Sequence, residues 1–548
     1  MPRPNILLLL TDQQRFDTIA CANADPAIRS SIRTPNLDKL CAQGLRFDRA
    51  YTPNPVCIPA RHNLITGLPA RYHGYPDNAS TPLPRYLPVL PQLLADAGYR
   101  THAVGKMHFQ PMRRHHGFDR MELMEETPKY RSDDDYLLYL LSVGCNVAHQ
   151  HGVRHLLYHQ PQRSLVPEEH HGSKWVADRS VAFLRQAAKE QRPFFLKSSW
   201  IAPHPPENVP DRLADMYVNA TFPQRIERHA PRPDGVDLIP MARSRFELGD
   251  GMLNDPARYR RHVEHYHASV AFVDEQVGRV LAELDALGLA DNTLVLFTSD
   301  HGEMLGDLDC FQKSLPYESA CHISLILRFP GRVPNGSVES ERFVDLNDVL
   351  PTFLDAASVT YPGPVRLPGG SLLDLDKGRD RSIQYIENGR GPKRWCAIRT
   401  AHWKFVHSYY GGVESLFDLE SDPKEQRDLL LDGVPPELAS EYRGLRRTLA
   451  EYEKQWGMPG MVEWNDFLAI SPFKIKTGAA ARNAQYPPPW LKTLSADERA
   501  EVADPLEEIV KAVEKEPAVK LSALDLDGWS ETVGTPNAFV EKVRREGL

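Results

Sequence analysis

The chain has 548 residues, 41% hydrophobic and 25% charged, the composition of a soluble globular protein too long for one small core. Its 65 basic and 73 acidic side chains leave a net charge of −8 with no dense basic run, which argues against a nucleic-acid partner. No stretch approaches the roughly 20 apolar residues of a membrane span. The apolar run Ile6–Leu10 is too short for a secretory leader, and seven cysteines without a C-x-x-C pair give neither a disulfide framework nor a zinc ribbon, so a cytoplasmic chain is expected.

In chain order, Asn5–Leu10 reads as a strand buried on both faces and ends at Asp12-Gln13. Thr34 with Pro35 marks a helix start. Cys57-Ile-Pro-Ala-Arg61 follows on a loop, with a helix from Arg61 to Thr66. Val89–Ala97 predicts a helix and Arg100–Val104 a strand that stops at Gly105-Lys106-Met107-His108. A polar, histidine-rich stretch over 110–180 is expected to form helices and loops over one sheet edge. Within it His151, His155 and His159 share i, i+4 spacing, expected as a solvated or substrate-lining helix face, with His149 beside them. Phe194–Trp200 is a strand stopping near His204. Tyr259–Leu289 has the pattern of a long amphipathic helix, with His262, His265 and His267 as surface or packing residues. Thr293–Phe297 is a strand ending at Asp300-His301, and Ile323–Leu327 is a further buried strand.

This alternation predicts an α/β fold with a central, mainly parallel sheet flanked by helices. A Pro/Gly-rich stretch at Tyr361–Gly370 suggests a boundary, giving a catalytic domain over 1–380. Trp395–Val406 and Glu414–Leu419 then predict a smaller antiparallel sheet with a helix over Pro436–Trp456, a subdomain spanning 381–458. Residues 459–548 form a polar, proline-broken tail expected to wrap the body or a second copy of the chain.

Several apolar strands thus end at reactive residues: Asp12-Gln13, Lys106 with His108, His204, and Asp300-His301. In open α/β sheets the carboxyl ends of the strands form the ligand crevice. Asp12, Gln13, Asp300 and His301 supply two carboxylates, an amide oxygen and an imidazole, a set for a divalent cation: Ca²⁺ or Mg²⁺ by the oxygens, Mn²⁺ by the imidazole. Arg61, Lys106 and Lys313 add positive charge suited to a tetrahedral oxyanion such as a sulfate or phosphate ester.

On these residues the chain resembles the type I sulfatases of the alkaline phosphatase superfamily. Cys57-Ile-Pro-Ala-Arg-His-Asn-Leu-Ile-Thr-Gly67 matches that family's C-x-P-S/A-R-x-x-x-L-T-G signature except for Ile65, and Leu8–Gln14, Gly105–His108, Thr298–Gly306 and Leu416–Pro423 resemble family blocks in family order. The likeness runs to about residue 455 and leaves the tail uncovered. It implies an alkaline-phosphatase-like fold in which a maturation enzyme oxidises Cys57 to formylglycine. The hydrated aldehyde would then attack sulfur and later release sulfate by elimination. It also implies Asp12, Gln13, Cys57, Asp300 and His301 around one cation, Ca²⁺ foremost. Arg61 and Lys106 would hold the diol, His108 would act as base, and His204 and Lys313 would bind sulfate and protonate the leaving oxygen. Asn78 would line the substrate side.

Two positions depart from many family members, which carry aspartate at 13 and asparagine at 301. Gln13 and His301 resemble choline-sulfatase-like and phosphonate-monoesterase-like relatives and raise Mn²⁺ as the ion. The latter relatives carry Tyr and Thr where this chain has Lys106 and His108, so the intact pair favours a small-molecule sulfate ester over a phosphodiester or phosphonate. A silent metal- or sulfate-binding protein is the reading of another class, and the full complement of site residues argues against it. Trp395, Trp403 and Trp490 are expected to pack in the core, with an aromatic cage for a quaternary ammonium the alternative.

Overall fold

The first strand, β1 (Asn5–Asp12), is buried over its whole length, and its leucines explain why. Ile6, Leu8 and Leu10 point to one face of the sheet and Leu7 and Leu9 to the other, so both faces of β1 are core. The computed structural model describes residues 3–78, 81–154, 157–190, 192–227, 252–374, 381–468, 470, 488–519 and 545.

Around β1 lie β2 (Leu45–Phe47), β3 (Arg100–Gly105), β4 (Arg120–Leu123), β5 (Phe194–Pro203), β6 (Thr293–Ser299), β7 (Leu325–Arg328) and β8 (Ser337–Glu339). They form one sheet in the order β8-β2-β7-β6-β1-β5-β3-β4. From β6 to β4 the five neighbouring strands run parallel, and β7 is antiparallel to both of its neighbours. One face is covered by helices α1 (Pro35–Ala42), α3 (Gly172–Ala187) and α4 (Pro256–Ala286); α2 (Cys57–Thr66) and α5 (Val349–Ala356) cover the other. Burying each large apolar side chain in these layers contributes about 1.5–3 kcal/mol. The main sheet thus has the architecture expected from the alternating pattern.

The smaller sheet is β9 (Gln384–Asn388), β10 (Trp395–Arg399), β11 (Trp403–Ser408) and β12 (Val413–Asp418), antiparallel throughout, with α6 (Ala439–Trp456) packed on it. Trp395–Val406, read as one strand, is a hairpin: Thr400 turns the chain, its backbone N–H donating to the Trp403 carbonyl at 2.8 Å. Arg394 ties helix to sheet. Its guanidinium lies 2.7 Å from Glu453 Oε1 on α6 and 2.6 Å from Glu387 Oε2 on β9, with all three side chains buried. Arg394→Ala would strand two carboxylates in the core, so a loss of about 3–5 kcal/mol is expected in urea unfolding.

Two readings need correction and a third holds. The described histidines of the 149–159 stretch, His149, His151 and His159, do not share a helix face. Gly152 has φ +81 and no helix forms among its described residues. His149 and His151 are buried, not solvated; His155 lies outside the described residues. The tryptophans follow the core-packing reading: Trp395, Trp403 and Trp490 sit in three separate apolar clusters. The helix that carries the cysteine motif begins at Cys57, four residues before the expected start, because Pro59 is tolerated in a first turn whose N–H groups lack intrahelical partners anyway.

Of the tail, residues 488–519 lie on the body. Trp490 packs with Leu137 and Ala148. Glu508 on α7 (Pro505–Lys515) accepts from Ala148 N at 3.1 Å, His149 N at 3.0 Å and His149 Nδ1 at 2.9 Å. Glu516 meets Arg261 Nε at 2.9 Å and His265 Nε2 at 3.1 Å. No helix among the described residues is long and apolar enough to cross a membrane.

Candidate active site

The carboxyl ends of β1, β3, β5 and β6 place Asp12, Lys106, His204 and Asp300 along one edge, and α2 starts directly over it. Cys57 is the first residue of that helix. Val56 offers no side-chain cap, and Asn78 Oδ1 takes that place by accepting from the Ile58 N–H at 3.0 Å. Asn78 therefore steadies the helix start beside Cys57. One turn on, Arg61 is wholly buried and uses its fork fully: Nε to Asp300 Oδ2 and Nη2 to Asp12 Oδ2, each at 2.9 Å, and Nη1 to the Lys106 carbonyl at 2.6 Å and Ser199 Oγ at 2.9 Å.

Cys57 Sγ lies 3.2 Å from His301 Nε2 and 3.8 Å from Asp12 Oδ1. His301 Nδ1–H donates to the Gly302 carbonyl at 3.0 Å, which turns the Nε2 lone pair toward the cluster. Gln13 has φ +65, with its backbone N–H on Asp300 Oδ1 at 3.1 Å. Its side-chain oxygen accepts from Lys313 and its amide donates to Glu303. Lys106 Nζ contacts Asp12 and Glu126. Lys313 Nζ donates to His204 Nε2 at 2.8 Å, while His204 Nδ1 donates to the Pro205 carbonyl at 2.8 Å. His108, at φ +58, reaches the Cys57 thiol, and Glu125 Oε1 accepts from the Met107 and His108 N–H groups at 2.9 Å each. All eleven residues singled out in the sequence are therefore in one place.

The electrostatics follow from this crowding. Burial pushes the Cys57 thiol up, but Lys106, Lys313 and His301 outweigh it and hold it well below the ordinary thiol range. Burial and the neighbouring Asp12 carboxylate push Asp300 up to about 6. Burial also lowers His204, which suits an imidazole accepting from the Lys313 ammonium. Ligand atoms of Asp12, Cys57, Asp300 and His301 all lie within 4.8 Å of one another. Two like-charged carboxylates, a nitrogen lone pair and a low-lying thiol fit a hard-to-borderline divalent cation, whose charge would relieve the Asp12–Asp300 repulsion. A second group, Asp12, Cys57, Glu126 and His204, meets the same distance and shares Asp12 and Cys57 with the first; the Lys106 ammonium touches both of its carboxylates.

Comparison with known proteins agrees with this constellation. The sulfatase family model matches residues 4–359, and the model for the C-terminal part of N-sulphoglucosamine sulphohydrolase matches residues 306–455. The chain belongs to the sulfatase family. These are sulfuric ester hydrolases of the alkaline phosphatase superfamily. An arylsulfatase of Clostridium perfringens is 30% identical over 469 residues, covering 78% of this sulfatase and 90% of the relative. The solved structure of BT4656 in complex with D-glucosamine-2-N,6-O-disulfate superposes with a TM-score of 0.65 at 25% identity, covering 83% of this chain and 98% of that one. A phosphonate monoester hydrolase of Agrobacterium radiobacter shares the fold, with a TM-score of 0.67 at 22% identity over 86% of this chain and all of that one.

Several residues of this sulfatase's site escape a reading of the sequence. Glu125 and Glu126 follow β4, a short edge strand whose polar Arg120 and Glu122 hide it. Glu303 fixes Gln13, and Ser199, inside β5, fixes Arg61. The signal that could have found the glutamates is positional: they sit just beyond the end of a strand at the same edge as Lys106.

Proposed function

We propose that this sulfatase hydrolyses a small-molecule sulfate ester to an alcohol and inorganic sulfate, with residue 57 as nucleophile. The supporting observation is the convergence of Asp12, Asp300, His301, Arg61, Lys106 and Lys313 on Cys57 at one sheet edge. Asp12, Asp300, His301 and the Gln13 oxygen would hold a divalent cation, Ca²⁺ or, given the imidazole, Mn²⁺, which would supply positive charge to the sulfate oxygens. A maturation enzyme reading Cys57-Ile-Pro-Ala-Arg61 would convert the thiol to formylglycine, which supplies a hydroxyl nucleophile once hydrated.

The side chains of the chain itself do the rest. Arg61 fixes the spacing of Asp12 and Asp300 through its two 2.9 Å contacts. Lys106 places an ammonium where negative charge builds on sulfate. Lys313 donates to His204 Nε2, so the pair can pass a proton toward the leaving oxygen without a separate acid. His108, within reach of residue 57, is placed to remove the proton that ends the cycle.

Expressed with a formylglycine-generating enzyme, the tryptic peptide containing residue 57 should be lighter than its cysteine form, and an aryl sulfate should be turned over faster than an aryl phosphonate monoester. A peptide left as cysteine in an active preparation would defeat the nucleophile assignment. A large phosphonate preference would instead move the chain to its phosphonate-hydrolysing relatives.

A further inference from the structure

Glu126 is a carboxylate in a site built for an anion. Its Oε1 contacts the Lys106 ammonium and lies 3.3 Å from His204 Nε2. It belongs to a group, with Asp12, Cys57 and His204, whose ligand atoms all lie within 4.8 Å of one another. The side chain is 11% exposed, and it borders a small recess of about 20 Å³ together with His149, Arg154, Pro488 and Trp490.

It is also held in place. Arg154 Nη2 binds the other oxygen, Oε2, at 3.0 Å, and the Arg154 guanidinium lies over the Tyr158 ring at 5.0 Å. The start of the same loop is fixed by Glu508 of the tail, which takes three hydrogen bonds from Ala148 and His149. Lys106 already has a carboxylate partner in Asp12, so Glu126 is not needed to neutralise it.

We propose that Glu126 selects the alcohol half of the substrate, accepting a hydrogen bond from an O–H or N–H donor carried close to the ester oxygen. This rests on the sulfatase reading above and deepens it. Lys106 has three donors and already spends them on Asp12 and Glu126, so a sulfate group that binds it with two oxygens displaces Glu126 Oε1. Glu126 then retains Arg154 on Oε2, and Oε1 needs a new donor, because His204 Nε2 at 3.3 Å is itself accepting from Lys313 and a buried carboxylate oxygen left without a donor is costly. A hydroxylated sugar or an amino alcohol supplies that donor; a plain aryl group does not. Sites built to hydrogen-bond a substrate donor discriminate strongly against analogues lacking it.

The test compares kcat and KM of the fully matured enzyme and its Glu126→Ala and Glu126→Gln variants on three sulfates: glucose 6-sulfate, 2-aminoethyl hydrogen sulfate and p-nitrophenyl sulfate. The wild type should prefer one of the two donor-bearing esters. Glu126→Ala should lower kcat/KM for that ester by roughly 100-fold more than for the aryl sulfate, chiefly through KM. Glu126→Gln keeps a neutral acceptor, so it should restore most of the activity if the donor is a hydroxyl and little if it is an ammonium. Equal losses on all three esters would show that Glu126 acts only through Lys106, and a wild-type preference for the aryl sulfate would equally overturn the proposal. Failure of the wild type to release sulfate from any of them would overturn the sulfatase reading itself, and this proposal with it.

Discussion

Cys57→Ala is expected to lower kcat on any sulfate ester by about 10⁴- to 10⁶-fold, the range seen when a nucleophile is deleted from a site that works as a unit. The size of the effect follows from how little else could substitute. Asp12 and Asp300 are both engaged by Arg61, His301 faces the thiol from 3.2 Å, and His204 already accepts from Lys313. Among the described residues, no second nucleophile is poised at the same point. Folding should barely register the change. The side chain of Cys57 closes no backbone hydrogen bond, since the helix start is capped by Asn78, and losing one buried sulfur costs about 1 kcal/mol. Thermal unfolding and steady-state turnover, measured on the same preparation, check both halves. A variant that keeps a tenth of the activity would remove residue 57 from the chemistry.

Why was so much of this site visible in the sequence? A central parallel strand must be apolar on both faces, so it reads as a solid run such as Ile6–Leu10, and its end is marked by the first polar residue. Asp12, Lys106, His204 and Asp300 are each within a few residues of such an end, and the fold brings those ends to one edge. The same logic explains what stayed hidden. β4 is an edge strand of four residues beginning with an exposed arginine, and only its pairing with β3 makes it a strand. Glu125 and Glu126 therefore looked like part of a polar insertion.

Local spacing also misled where tertiary contacts override it. His151, His155 and His159 have helical spacing, yet Gly152 sits in the left-handed region, and His149 and His151 give their hydrogen bonds to Glu508 and the Glu125 carbonyl. The partner of His149 lies 359 residues away, in the tail. Windowed periodicity carries no information about a contact at that range. The three tryptophans, by contrast, follow the favoured core-packing reading and lie in separate clusters.

The second large effect is expected at Arg61, and it couples stability to metal. Arg61→Ala removes a fully buried guanidinium from between Asp12 and Asp300 and deprives the Lys106 carbonyl and Ser199 hydroxyl of their donor. Breaking a buried pair on one side costs about 3–5 kcal/mol, because the remaining charges stay buried. Here two carboxylates are stranded together, and Asp300 is already pushed up to about 6 by burial and by Asp12. A divalent cation bound to both would offset part of that loss: at 100 times its Kd it stabilises the folded state by about 2.7 kcal/mol. The variant should therefore lose more thermal stability on chelation than the wild type does, and regain it with Ca²⁺ or Mn²⁺. Its kcat should fall by about 10²- to 10³-fold even with metal restored, as for removal of a preorganised charge. Arg61→Lys separates charge from geometry. A lysine supplies the charge but cannot span Asp12, Asp300, the Lys106 carbonyl and Ser199 at once. It should recover much of the stability and little of the rate. Full activity in Arg61→Lys would mean that the charge alone matters and that the four-point fork is incidental.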